Sequence, residues 1–197
     1  GTVEPSDALR YGRRSNRLPS HLLQFSEDKK PVVVWNVTQA CNLKCIHCYA
    51  HAVDRSIDKE LTHEQGLAVL DDLARFGVPV VLFSGGEPLV RPDLLDLVRH
   101  AVKRGMRAVI STNGTLITRE IAEALKDIGL SYVGVSLDGM EEVNDRFRGK
   151  NGAFRHALEG ISHCREAGIK VGLRFTINRM NAGEIPGIFD LLEEQQI

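Results

Sequence analysis

Residues 80–114, VVLFSGGEPLVRPDLLDLVRHAVKRGMRAVISTNG, decide the fold. Val80–Phe83 is a short apolar run of strand length. Pro92 suits the first position of a helix, where its missing N–H has no partner to lose, and Gly105 marks the helix end. Arg107–Ser111 is then a second strand. Strand, helix and strand within about 30 residues make one parallel crossover unit. The same rhythm extends in both directions. Upstream, Val32-Val33-Val34-Trp35-Asn36-Val37 is rich in β-branched side chains and reads as a strand covered on both faces. Thr62 opens a helix with Gln65 at capping-box spacing; Leu67, Leu70 and Ala74 form its stripe, and Gly77 follows its end. Downstream come a helix carrying Ile121, Leu125 and Ile128 with Gly129 beyond it, a strand Tyr132–Leu137, and a helix from about Ala153 closed by Gly168. A strand Val171–Ile177 precedes a last helical stretch. Alternation of this kind predicts an α/β fold, a partial (β/α) barrel with its chemistry at the carboxyl ends of the strands. An open doubly wound sheet is the alternative. Five units followed directly by a helix predict a sixth strand beyond Ile197, so the length reads as a truncated barrel.

The chain has 197 residues, 43% apolar and 26% charged, enough for one globular domain with a core. Residues 31–197 are the expected barrel. Residues 1–30, polar and basic around Tyr11-Gly12-Arg13-Arg14, read as an N-terminal arm. A net charge of −1 argues against nucleic acid or a membrane surface as partner. No apolar run reaches the roughly 18 residues of a membrane span. The chain opens on Gly1, so the lack of a signal peptide carries little weight.

Three of the four cysteines, Cys41, Cys45 and Cys48, fall within eight residues, just past the first strand. That placement points to metal ligation in a reducing compartment, hence the cytoplasm. Three thiolates can hold three corners of a cubic iron–sulfur cluster and leave the fourth iron open. A zinc site completed by His47 or His51, or a cluster completed by Cys164, fits the spacing alone as well. Cys164 falls in step with Phe154, Ala157, Leu158 and Ile161 on one helical face and reads as a core thiol.

The C-x3-C-x2-C loop after the first strand resembles that of the radical S-adenosylmethionine enzymes. Ser84-Gly85-Gly86-Glu87-Pro88, Ser111-Thr112-Asn113-Gly114 and Ser136-Leu137-Asp138-Gly139, at the ends of successive strands, resemble further segments of that family. The resemblance implies a partial (β/α)6 TIM-like barrel, a 4Fe-4S cluster on Cys41, Cys45 and Cys48, and S-adenosylmethionine on its open iron. It gives the methionine amino group to Gly85, Gly86 and Glu87, and the ribose and carboxylate to the segments of Thr112, Asn113, Ser136 and Asp138. The glycines would let the backbone approach a ligand and adopt positive φ. Glu87 is an acceptor for an ammonium group; a helix-capping role competes less well because Pro88 and Arg91 intervene. Arg148 could pair with the methionine carboxylate, or be an exposed loop residue. His47 stands where the family commonly has an aromatic residue near the adenine, and Tyr49 could help cover the cluster. The implied activity is reductive cleavage of S-adenosylmethionine to a 5′-deoxyadenosyl radical, which needs a reducing electron donor.

Pro31–Thr38 leading into the cysteine loop resembles the haem and haem d1 biosynthesis branch of the family. Gly1–Gly12 and Leu18–Ser26 resemble members that remove acetate side chains from 12,18-didecarboxysiroheme to give iron-coproporphyrin III. That implies a tetrapyrrole substrate, whose carboxylates Arg10, Arg13, Arg14 and Arg17 could meet. Members of this branch extend past the barrel and carry further cysteines, and none follows Cys164 in this chain. A peptide-modifying maturase of the same family, and a non-enzymatic iron–sulfur or zinc module, are the competing readings. Substrate-side catalytic residues are not identifiable from the sequence.

Overall fold

The computed structural model describes residues 30–54 and 60–197. Five strands, β1 (Val33–Thr38), β2 (Val80–Gly85), β3 (Arg107–Thr112), β4 (Tyr132–Ser136) and β5 (Val171–Arg174), form one parallel sheet in sequential order. Every crossover therefore steps one strand in the same direction, which is how a barrel wall grows. A doubly wound sheet reverses direction at a switch point, so that alternative is set aside. The helices are α1 (His63–Phe76), α2 (Leu94–Lys103), α3 (Arg119–Ile128), α4 (Glu141–Arg148), α5 (Ala153–Glu166) and α6 (Ile185–Gln195). Short 3₁₀ turns at Pro88–Val90 and Ala182–Glu184 complete the described elements.

Successive strand residues face opposite sides, and the two sides differ in chemistry. Val81, Phe83, Ala108, Ile110, Val133 and Val135 are buried beneath the helices, against Leu70, Leu97, Leu125 and Ile161. Leu82, Ser84, Ser111, Ser136 and Arg174 alternate with them and line a cavity on the other side. β1 is thus not covered on both faces among the described residues, and Val34 on the cavity side is 58% exposed.

Local chemistry explains most element ends. The Thr62–Gln65 capping box forms, and Gly77 and Gly129 close α1 and α3 in the left-handed conformation. α2 begins after Asp93, not at Pro92, because the Asp93 carbonyl accepts the first helical N–H groups, from Asp96 and Leu97. β5 stops at Arg174 rather than Ile177. There the Asn178 and Asn181 side chains take over the backbone, bonding Met180 N, Asn178 N and Thr176 O. α4 is a helix that sequence patterning does not announce, and it ends on Arg148, for which an exposed loop position was one of the two sequence readings. Cys164 is fully buried in the core, as its helical face predicts. Among the described residues, no helix is long and apolar enough to cross a membrane.

Candidate active site

Cys41, Cys45 and Cys48 line a cavity of about 400 Å³ at the carboxyl edge of the sheet. Their loop is fastened on both flanks. Lys44 N and Ile46 N donate to Arg148 O and Phe147 O at the end of α4, at 3.1 and 2.9 Å. On the other flank, Asn42 Nδ2 donates to Thr115 Oγ1 at 2.8 Å and Asn113 Nδ2 to Asn42 Oδ1 at 2.9 Å. Each sulfur also faces an N–H donor: Leu43 N to Cys41 Sγ at 3.4 Å, Arg148 Nη1 to Cys45 Sγ at 3.7 Å, and Ala52 N to Cys48 Sγ at 3.5 Å. Burial pushes the Cys41 and Cys45 thiols up, and at Cys45 the Arg148 guanidinium works against that burial. Among the described residues, no three His, Cys, Asp or Glu side chains converge on one ion-sized point.

The Gly-Gly-Glu segment at the end of β2 makes contacts within the chain that the sequence does not announce. Gly85 has φ 135°, and a Cβ there would lie 2.3 Å from Thr38 O; a Cβ on Gly86 would lie 2.2 Å from Ala40 O. Gly86 N and Glu87 N donate to those same two carbonyls, both at 2.8 Å. Both glycines line the cavity, and the chain entering the cysteine loop leaves no room for a side chain at either. Glu87 is 0% exposed and does not line the cavity. Its carboxylate accepts from Leu89 N at 3.1 Å, Thr112 Oγ1 at 2.7 Å and Asn113 N at 2.7 Å. The capping role that the sequence reading ranked lower is therefore present, and the carboxylate also ties β2 to the end of β3. Enclosure raises its pKa, with these donors opposing.

Of the remaining expected residues, His47, Tyr49, Thr112, Asn113, Ser136 and Arg148 all border the same cavity as the three cysteines. Tyr49 stands at its rim, 71% exposed. Asp138 is 1% exposed and stands behind the cavity wall, between His47 Nε2 at 3.2 Å and Arg148 Nη2 at 2.7 Å. The His47 ring meets Phe147 edge-on, with centroids 5.5 Å apart. Arg148 is buried at the end of α4, not an exposed loop residue. Sequence reasoning missed Arg174 and Thr176, which line the cavity from β5 and just beyond it, and Asn42, which locks the cysteine loop. Period-2 reading of β5 would have pointed Arg174 and Thr176 inward together. The basic arm, with Arg10, Arg13, Arg14 and Arg17, lies outside the described residues.

The residues present fit a thiolate-held cluster with an amino-acid-bearing nucleoside beside it. Three sulfurs with N–H donors border one cavity. His47 Nδ1 and Arg148 Nε are buried there without a hydrogen-bond partner. A sequentially ordered parallel barrel wall carrying a three-cysteine loop at its carboxyl edge is the arrangement that the resemblance to cluster-dependent S-adenosylmethionine proteins implies. The chain belongs to the Radical SAM superfamily, whose pattern matches residues 35–192. That family implies a 4Fe-4S cluster and S-adenosylmethionine. The chain is 68% identical over 197 residues to the Fe-coproporphyrin III synthase of Methanosarcina barkeri, covering 100% of this chain and 49% of that protein. It is 45% identical over 168 residues to the Pre-heme d1 synthase of Dinoroseobacter shibae, covering 85% and 42%. The chain thus spans about half the length of the curated relatives it matches. The solved structure of native anSMEcpe with bound AdoMet shares the fold, with a TM-score of 0.71 at 20% identity, over 84% of this chain and 48% of that one.

Proposed function

We propose that the chain is the cofactor-binding barrel of a radical S-adenosylmethionine enzyme of alternative haem biosynthesis. In this reading the whole protein removes acetate side chains from 12,18-didecarboxysiroheme to give iron-coproporphyrin III. The observation that carries it is the 68% identity to Fe-coproporphyrin III synthase along all 197 residues, the arm included. Residues 31–197 form the barrel and residues 1–30 an arm that contributes to substrate choice. When bound on Cys41, Cys45 and Cys48, the cluster with S-adenosylmethionine would supply one-electron reductive chemistry.

The chain's own residues bind and orient. Cys41, Cys45 and Cys48 hold the cluster as thiolates, so loading releases their protons. The backbone of Gly85 and Gly86, with Thr112, Asn113 and Ser136, offers polar groups along the carboxyl edge, where the cofactor's amino acid and ribose are held. Arg148 presents a planar donor to a carboxylate from the enclosed side of the cavity. His47 would stand beside the adenine, and Tyr49 would help cover the cluster. Glu87 and Asp138 act from behind, through Thr112, Asn113, His47 and Arg148. A low-potential donor supplies the electron, and a reducing cytoplasm suits three unpaired, half-buried thiols.

The test offers 12,18-didecarboxysiroheme to the anaerobically reconstituted protein that carries this chain, with a reductant and S-adenosylmethionine. Formation of iron-coproporphyrin III together with 5′-deoxyadenosine is expected. Formation of 5′-deoxyadenosine with the tetrapyrrole unchanged would overturn the substrate and favour a peptide-modifying maturase.

A further inference from the structure

The cavity is bordered by two guanidinium groups, Arg148 and Arg174, and among the described residues by no carboxylate. The two cations are not equivalent. Arg148 is neutralised from behind by Asp138 at 2.7 Å. Arg174, the last residue of β5, has no Asp or Glu within ion-pair distance among the described residues. The hydrogen bond of its side chain runs from Nη1 to Ser111 Oγ at 2.5 Å.

The sheet is shaped to hold this side chain. Arg174 pairs with Ser136 in the β4–β5 register, and Ser111 pairs with Gly134 in the β3–β4 register. To reach Ser111 the guanidinium crosses Gly134, where a Cβ would lie 2.5 Å from Arg174 Nε and 3.0 Å from Cζ. The missing side chain on β4 is therefore the space in which the Arg174 head lies. A half-buried cation within an otherwise apolar strand is unfavourable without a counter-charge. Its planar fork matches a carboxylate in two-point contact.

We propose that Arg174 is the anion anchor of this cavity, binding a carboxylate of a small molecule held there. Two sources share that chemistry: the methionine carboxylate of S-adenosylmethionine, and an acid side chain of the tetrapyrrole, the second resting on the proposed function. Arg148 faces the cluster loop through Cys45 Sγ, whereas Arg174 rises from the end of β5.

The test compares the protein carrying this chain with its Arg174→Gln and Arg174→Lys variants, all loaded with cluster. Equilibrium affinity is measured for S-adenosylmethionine, for didecarboxysiroheme, and for didecarboxysiroheme with its carboxyls methyl-esterified. Unchanged iron content per chain shows that each variant has folded, and Arg174→Lys, which keeps the charge, replaces Arg174→Gln where that one fails this check. Arg174→Gln is expected to weaken one acid ligand about tenfold, the scale of a lost charged hydrogen bond, with Arg174→Lys intermediate. If the tetrapyrrole acid weakens and the ester does not, the carboxylate belongs to the substrate. If S-adenosylmethionine alone weakens, it belongs to the cofactor. Affinities for both that match the parent protein would overturn the anchor. A parent protein that does not bind the tetrapyrrole contradicts the proposed substrate, and the S-adenosylmethionine arm then decides Arg174 alone.

Discussion

The Asp138 carboxylate lies 2.7 Å from the Arg148 guanidinium, with side chains 1% and 9% exposed. The pair joins the end of β4 to the end of α4, and Arg148 Nη1 continues to Cys45 Sγ at 3.7 Å. On its other side Asp138 meets His47 Nε2 at 3.2 Å, and its backbone N–H donates to Asn144 Oδ1 at 3.0 Å. Asp138 is thus the enclosed negative charge between His47 and Arg148. Removing one partner of an enclosed pair leaves the other charge uncompensated, at about 3 kcal/mol. Asp138→Asn is therefore expected to lower unfolding stability by about that amount and to loosen the cysteine loop. Chemical denaturation checks the first and iron retention under dialysis the second. A variant equal to the parent in both would show that the pair does not hold the loop.

Close backbone approach makes a sharper prediction at Gly86. A methyl group there would lie 2.2 Å from Ala40 O, a backbone atom that cannot swing away. Gly105 at the end of α2 has φ 84°, but a methyl group there would meet nothing within 4 Å, so it isolates the backbone cost alone. Gly105→Ala is expected to cost about 1 kcal/mol, and Gly86→Ala to cost more and to lower iron content per chain. Thermal unfolding and iron assay of both variants make the comparison.

Arg91 is the other enclosed cation whose partners are all in view. Its fork grips Asp93 through Nε at 2.6 Å and Nη2 at 2.9 Å, while Nη1 and Nη2 donate to Val37 O at 2.9 Å and Leu61 O at 3.0 Å. One side chain thus fixes the end of β1, the approach to α1 and the start of α2. Arg91→Ala leaves Asp93 and two carbonyls without these donors, and is expected to lose about 3 kcal/mol of stability. Arg91→Lys cannot reproduce the fork and should recover only part of it. Denaturation midpoints of the two variants read this directly.

Cys164 gives the pH dependence a sign. Burial pushes its thiol up to about 11, from an ordinary value of 9.0. A raised folded-state value means that its contribution is fully present below pH 9 and is lost as pH rises through about 11. The parent should therefore lose stability across that window faster than Cys164→Ala. At neutral pH the same variant should be less stable by about 1 kcal/mol, through the space it leaves in the core. Denaturation curves from pH 7 to about 11 check both directions.

Much of the barrel wall was legible because its signals are local. The capping box at Thr62 and Gln65 and the left-handed glycines at Gly77 and Gly129 are set by a few neighbouring residues. α4 was not legible: within Glu141–Arg148 the only apolar residues are Val143 and Phe147, too few to mark a stripe. Yet α4 carries the carbonyls that pin the cysteine loop, a contact across about a hundred residues. The residue types of the site were readable, but the contacts that several of them make within the chain were not. Gly85, Gly86, Glu87 and Asp138 serve chain-to-chain contacts that only the folded register creates. Arg174 escaped notice because a single charge in an apolar strand shows its purpose only when Gly134 and Ser111 stand beside it.

Central to the proposed function is a three-thiolate site whose remaining coordination position takes the cofactor. The most direct measurement is the paramagnetic resonance spectrum of the anaerobically reconstituted, reduced cluster, recorded with and without S-adenosylmethionine. The spectrum is expected to change on addition, to be lost when Cys41, Cys45 or Cys48 is replaced by Ser, and to persist in Cys164→Ala. A spectrum that S-adenosylmethionine leaves unchanged, or one that disappears with Cys164, would contradict this chemistry and mark a cluster fully ligated by protein.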